Sequence, residues 1–329
     1  MEIIDAHAHI WTCISGERSG HVRCRSDRYG KARVWSIRRS GEVPGFRSDK
    51  WTRGREVIER WIPPSFVNSS VEPEVLIEYM DWIGVSKAIL MQAPTYGNQN
   101  EYYREVLDRH GDRFCGGMAL VDARKDVSEM CEDLEYAIVG LGLKGVKFET
   151  PDSEIWVDEP RYDPFWKKLV DLDGVLGIDL GWEIGNPYTF QIDHLENLMG
   201  RFETMRVVVM HLGVSNLLDM SQRYPFPDLQ RTLKLGRYKN LWFELASIVH
   251  MGGDQEYPFP RVQEIVRVAF EAVGPAKLIW GSDFPTALDV CTYKQTLNLV
   301  ARQCDFLSEE DKAWILERSA RSAYKIDDD

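Results

Sequence analysis

A (β/α)8 TIM barrel, with a long inserted loop after the first strand, is the fold the sequence predicts, and three observations predict it. Short apolar runs alternate with amphipathic stretches from Glu72 onward, which with the N-terminal run implies eight parallel strands covered on their faces by helices. Metal-competent or acid/base side chains recur at the C-terminal ends of those runs, the end at which such barrels carry their sites. No Gly-x-Gly-x-x-Gly turn follows the first strand, so the nucleotide fingerprint of an open doubly wound sheet is missing. A length of 329 residues suits one barrel domain plus an insertion.

The first strand is the apolar run 3–10. Alternate side chains of an extended chain share a face, so His7 and His9 point the same way. Residues 13–70 then show no sustained helical or alternating pattern and are rich in Gly, Ser, Arg and Trp. A stretch of this length inside a compact domain is usually functional, and Trp35, Trp51 and Trp61 argue for packing rather than plain disorder. It reads as a partly ordered flap, either a substrate lid or else a solvated basic surface or a subunit contact.

From Glu72 the rhythm is regular. Pro73 opens a helix whose apolar positions Val75, Leu76, Tyr79, Met80 and Ile83 follow helical spacing, and Gly84 closes it. Strands follow at 88–91, 116–121, 145–148, 175–180, 206–211, 241–245 and 277–280, with helices near 98–110, 126–140, 162–173, 190–201, 227–235, 260–273 and 290–322 between and after them.

The formal net charge of −12 argues against nucleic acid as a general partner. The charge is uneven, for residues 13–60 hold thirteen Arg or Lys against six Asp or Glu. Neither a membrane-length apolar run nor a signal-like start is present, so a cytoplasmic protein is expected. The six cysteines are scattered without a Cys-x-x-Cys pair, which leaves reduced thiols as the expectation. Homo-oligomerisation is left open.

The strand ends bring polar candidates together: His7 and His9 at strand one, Lys147 and Glu149 at strand four, Asp179 at five, His211 at six, Glu244 at seven and Asp283 at eight. Imidazole and carboxylate donors suit zinc, manganese or iron with one position open to water. Asp283 then serves as ligand, as general base for water, or as both. A metal-free reading, with Asp283 activating water while His211 and Lys147 polarise a carbonyl, stands beside it. His250 follows strand seven, where it could reach the pocket rim, and Trp182 could form an aromatic wall.

Ile4-Asp5-Ala6-His7-Ala8-His9-Ile10-Trp11, His211-Leu212-Gly213 and Trp280-Gly281-Ser282-Asp283-Phe284-Pro285, in that order, resemble the amidohydrolase superfamily in its amidohydrolase-related branch of lactone hydrolases and non-oxidative decarboxylases. The resemblance implies that His7 and His9 are metal ligands and that Asp283 is a ligand or general base. It makes His211 a ligand, acid/base or substrate contact, and Lys147 a contact for a substrate carboxylate. The decarboxylases resemble one another in a metal-binding His on strand five, where this chain has Asp179. That departure favours water addition to a lactone or related cyclic carboxyl derivative, and the basic flap suggests an anionic substrate. Decarboxylation of an aromatic or unsaturated acid is the first rival. A two-metal oxygenase, or a silent partner subunit, is the second.

Overall fold

Strand β1 (Ile4–Ala8) pairs in parallel with a strand more than seventy residues further on, and an insertion with its own sheet separates them. The computed structural model describes residues 2–11, 70–94, 97–181, 186–213, 223–253 and 255–327, together with the backbone of four strands between 22 and 59. Those strands, β2 (Val22–Ser26), β3 (Ala32–Arg39), β4 (Trp51–Arg53) and β5 (Glu56–Glu59), form an antiparallel sheet in the order β2-β3-β5-β4. The insertion therefore has regular secondary structure that the sequence reading did not anticipate. The side chains of Trp35 and Trp51, and the whole of Trp61, lie outside the described residues.

The barrel strands are β1, β6 (Lys87–Leu90), β7 (Phe114–Ala119), β8 (Gly145–Glu149), β9 (Val175–Asp179), β10 (Arg206–Val209), β11 (Leu241–Glu244) and β12 (Leu278–Ile279), neighbours in that order and parallel throughout. Residues following β12 return to β1: Ala6 N–H donates to Trp280 O at 3.2 Å, Asp283 N–H to His7 O at 2.8 Å and His9 N–H to Phe284 O at 2.8 Å. These bonds close the barrel and bring the two ends of the sequence together.

Helices α1 (Pro73–Ile83), α2 (Asn100–His110), α3 (Val127–Glu135), α4 (Thr150–Ser153), α5 (Asp163–Asp171), α6 (Ile192–Arg201), α7 (Pro227–Leu233), α8 (Pro260–Val273), α9 (Tyr293–Asn298), α10 (Glu309–Ala313) and α11 (Ser319–Tyr324) fill the intervals. Their ends follow local chemistry. Pro73 fits the first turn of α1, where its missing N–H is no loss, and Gly84 ends the helix at φ 81°. Thr292 and Ser308 cap α9 and α10, each accepting from a backbone N–H three residues on at 3.2 Å. Among the described residues no helix is long and apolar enough to cross a membrane.

Strand alternation sorts the core into two parts. Ile89, Met91, Met118, Val175, Val208, Met210, Trp242 and Ile279 fill the barrel with Ala320, Ala323 and Tyr324 of α11. Leu90, Val146, Phe148, Leu176, Ile178, Val207, Val209, Phe243 and Leu278 join the layer shared with the helices. Gly177 is small because a Cβ there would lie 2.5 Å from Met210 Cε. The period of two carries the polar residues as well, for Glu244 stands two positions beyond Trp242 in β11, and Asp179 four beyond Val175 in β9.

Candidate active site

His9 sits just past β1 with its ring Nδ1 2.8 Å from Met91 O. A carbonyl can only accept, so Nδ1 carries a proton, and the neutral ring would present its Nε2 lone pair as a ligand. The same carbonyl accepts the hydroxyl of buried Tyr103 at 2.5 Å. His7 Nδ1 meets Glu244 Oε2 at 2.7 Å, and the two Nε2 atoms face each other at 3.0 Å. Asp283 Oδ1 lies 3.1 Å from the His9 nitrogen and 3.8 Å from that of His7. All three residues are buried.

Two arrangements satisfy this contact. If Glu244 is ionised, His7 donates to it, and two nitrogen lone pairs and a carboxylate oxygen converge on a spot that requires a cation. If Glu244 is protonated, it donates to His7, whose Nε2–H then points at His9, so that a proton takes the cation's place. The centre thus accepts either a proton or a metal ion between the same atoms, and the donor set fits a divalent ion. Zinc–nitrogen bonds of about 2.0–2.1 Å in a tetrahedron imply a nitrogen separation near 3.3 Å, close to the 3.0 Å observed. Burial raises Glu244 well above the ordinary carboxylate range. Burial, reinforced by neighbouring His9, keeps His7 well below the usual imidazole value. Burial thus favours the protonated form of Glu244.

A second pair adjoins the first. The His211 ring lies 5.1 Å from that of His7, with Nδ1 2.9 Å from Ala246 O and Nε2 3.4 Å from Asp179 Oδ2. Asp179 Oδ1 accepts from Gly181 N–H at 2.8 Å. Burial alone would lower the His211 pKa, but the charge of Asp179 and the hydrogen bond to it, together with the charge of Asp283, outweigh it and raise it to about 9. His211 is therefore a cation at neutral pH, hydrogen-bonded at Nδ1 and held beside a carboxylate at Nε2.

Lys147, buried in β8, forms an ion pair with Glu149. Burial favours its neutral form, yet Glu149 and Asp179 push its pKa up. The ammonium form is favoured.

Asp5 braces the centre from behind. Its carboxylate accepts from Ser282 N–H at 2.8 Å, Ser282 Oγ–H at 2.5 Å, Tyr293 O–H at 2.8 Å and His7 N–H at 3.2 Å. Desolvation, partly offset by these bonds, raises its pKa to about 6. Phe284 packs against Tyr79 and Tyr293, with ring centroids 5.0 and 5.7 Å away. Gly281 permits the closest approach, since a Cβ there would lie 2.7 Å from His7 Cβ. His211 at φ 53° and Asp283 at φ 57° occupy the left-handed region, strain of the kind that collects at functional sites.

The sequence profile of the amidohydrolase family matches residues 4–326. The chain belongs to the amidohydrolase family. An L-fucono-1,5-lactonase from Burkholderia ambifaria is 23% identical over 259 residues, 74% of this chain and 81% of that one. An amidohydrolase from Burkholderia multivorans, solved with bound zinc, superposes with a TM-score of 0.70 at 17% identity, covering 99% of this chain and all of the other. A 2,6-dihydroxybenzoate decarboxylase from Rhizobium gives a TM-score of 0.60 at 16% identity over 79% of this chain and 90% of its own.

Within this amidohydrolase, His7, His9 and Asp283 form the described cluster suited to a metal ion, their donor atoms all within 4.8 Å of one another. His211 and Asp179 stand beside that cluster and face each other. Lys147 is turned to Glu149. His250 connects to Asp283 through Ser247, with Ser247 Oγ 3.0 Å from its Nδ1. Trp182 lies outside the described residues, as does most of the 13–70 flap. Sequence reasoning gave Glu244 little weight and passed over Ser247 and Asp289. The position of Glu244 at a strand end was a usable signal, whereas Ser247 and Asp289 offered none.

Proposed function

We propose that this amidohydrolase is a divalent-metal-dependent hydrolase that adds water to a lactone or related cyclic carboxyl derivative, preferentially an anionic one. One observation carries the reading: His7 and His9 turn their Nε2 atoms to each other at 3.0 Å, with the Asp283 carboxylate 3.1 Å from the latter. His7, His9 and Asp283 would hold the ion, with Glu244 and Met91 O fixing the ring orientations from the far nitrogens. When bound, a divalent ion supplies Lewis acidity that brings the pKa of water toward neutrality.

The chain's own residues supply the rest. Burial pushes the Asp283 pKa up, but His9, His7 and His211 pull it well below the usual carboxylate range. Asp283 is thus an ionised acceptor for the proton of attacking water. Protonated His211 offers positive charge, and a proton, to oxygen that becomes negative as the carbonyl is attacked. One well-placed donor of this kind is worth about 3 kcal/mol in the transition state.

The thirteen Arg and Lys against six Asp and Glu of residues 13–60 support an anionic substrate. His211–Asp179 and Lys147–Glu149 cancel as pairs, and a divalent ion would offset Asp283 together with ionised Glu244. Resemblance to the curated lactonase supports the sugar-lactone class.

The test is a panel of five- and six-membered sugar lactones, L-fucono-1,5-lactone among them, assayed by acid release with zinc- and manganese-loaded protein. Dihydroxybenzoates are run in parallel for carbon dioxide. Metal-dependent acid release supports the reading. Carbon dioxide from the benzoates without lactone turnover replaces it with decarboxylation.

A further inference from the structure

We propose that Ser247, His250 and Asp289 form a positioning chain for Asp283, fixing one carboxylate oxygen so that the other stays turned to His7 and His9. This rests on the reading of Asp283 as metal ligand and base. The chain begins at Asp283 Oδ2, which accepts the hydroxyl of Ser247. His250 Nδ1 lies 3.0 Å from both Ser247 Oγ and Ser247 O, and its Nε2 lies 2.9 Å from Asp289 Oδ1.

Proton counting fixes the polarity. Asp283 is an acceptor, so the single Ser247 hydroxyl proton goes to it and Ser247 Oγ accepts from His250 Nδ1–H. Asp289 is also an acceptor, so Nε2 carries a proton too. Every donor therefore points along the chain toward a carboxylate, and His250 is an imidazolium between Asp289 and the Ser247–Asp283 pair. Its side chain is only 7% exposed. A buried cation costs several kcal/mol unless it is paired, and here the ends of the chain supply the pairing. Burial lowers the His250 pKa, but Asp289 and Asp283 raise it overall, in agreement with the proton count.

Backbone and side chain agree. Ser247 stands at φ 58° and Asp283 at φ 57°, left-handed conformations that are strained for a residue with a Cβ. In these conformations the Ser247 hydroxyl donates to Asp283 Oδ2. With Oδ2 occupied in this way, Oδ1 faces His9 at 3.1 Å and His7 at 3.8 Å, so both carboxylate oxygens are engaged.

The test uses the full-length protein and two readouts: zinc affinity by competition with a chromophoric chelator, and kcat against KM on whichever lactone of the panel is turned over. Ser247→Ala and His250→Ala should each weaken zinc binding about 10–100-fold and lower kcat with KM within about twofold. His250→Asn places an amide N–H near the Nδ1 position and should restore most of both, whereas His250→Gln, which imitates Nε2, should not. Wild-type zinc affinity and kcat in Ser247→Ala and His250→Ala would overturn the proposal. Equal losses in all three His250 variants would also overturn it, since they mark a residue needed only for folding. Asp283→Asn is the control for the underlying reading. If it keeps wild-type zinc affinity and kcat, the assignment of Asp283 itself fails, independently of the chain.

Discussion

The carboxylate of Asp179 lies 3.4 Å from Nε2 of His211 while the opposite ring nitrogen reaches Ala246 O at 2.9 Å, so the imidazole is held as a cation. Its pKa, raised from 6.5 to about 9, sets the direction of a pH effect. The stabilisation this pair gives the fold is fully present below about pH 6.5 and is lost as pH rises through about 9. Lactone turnover should fall on the same alkaline limb, at or below pH 9 because a divalent ion nearby favours loss of the ring proton. His211→Asn should lower kcat roughly 10²–10³-fold and abolish that limb. A pH–rate profile from pH 6 to 10, with wild type and variant side by side, checks both.

Metal binding should release a proton. Burial favours the protonated form of Glu244, whereas an ion between His7 and His9 would require His7 to donate to an ionised Glu244. Zinc titrations in buffers of different ionisation enthalpy should show about one proton released per ion, and zinc affinity should fall as pH is lowered. Glu244→Gln should bind zinc about 10–100-fold more weakly with the proton release gone. Equal apparent enthalpies in all buffers would contradict the shared-proton arrangement.

The general-base assignment makes Asp283→Asn the most damaging single change to turnover, with kcat reduced about 10²–10⁴-fold. Circular dichroism should stay close to wild type, because the backbone bond from Asp283 N–H to His7 O is kept, whereas the thermal midpoint should fall, because a neutral amide no longer offsets the neighbouring imidazoles.

Gly281→Ala tests how tightly β1 and the segment after β12 are packed. The added methyl would lie 2.7 Å from His7 Cβ and 3.0 Å from His7 N, so the ring must move from its place beside His9. The expected result is a loss of about 1–3 kcal/mol of stability together with weakened zinc binding. A normal thermal midpoint and zinc affinity would mean that the local backbone yields without disturbing the imidazole.

The barrel was legible because its strands carry a strong local signal. Runs such as Val207-Val208-Val209 cannot be anything but buried, and Pro73 and Gly84 mark helix ends through backbone chemistry alone. His7, His9 and Asp283 were legible because each ends such a run. The antiparallel sheet of the insertion was missed, although Val22-Arg23-Cys24-Arg25 does alternate. Its strands are three to eight residues long, too short for a period of two to stand out against Arg, Ser and Gly. Ser247, His250 and Asp289 could not be linked in advance. Their relation depends on a left-handed turn at a serine, and nothing in local composition announces one.

Closure of the barrel by the residues after β12 has a consequence for how the protein is made. During synthesis His7 and His9 leave the ribosome long before Asp283, 274 positions further on. A nascent chain therefore carries the two imidazoles without the Asp283 carboxylate that completes the cluster. Tight capture becomes available only when the last barrel seam is sewn, so loading with metal would mark a finished chain and leave truncated ones empty.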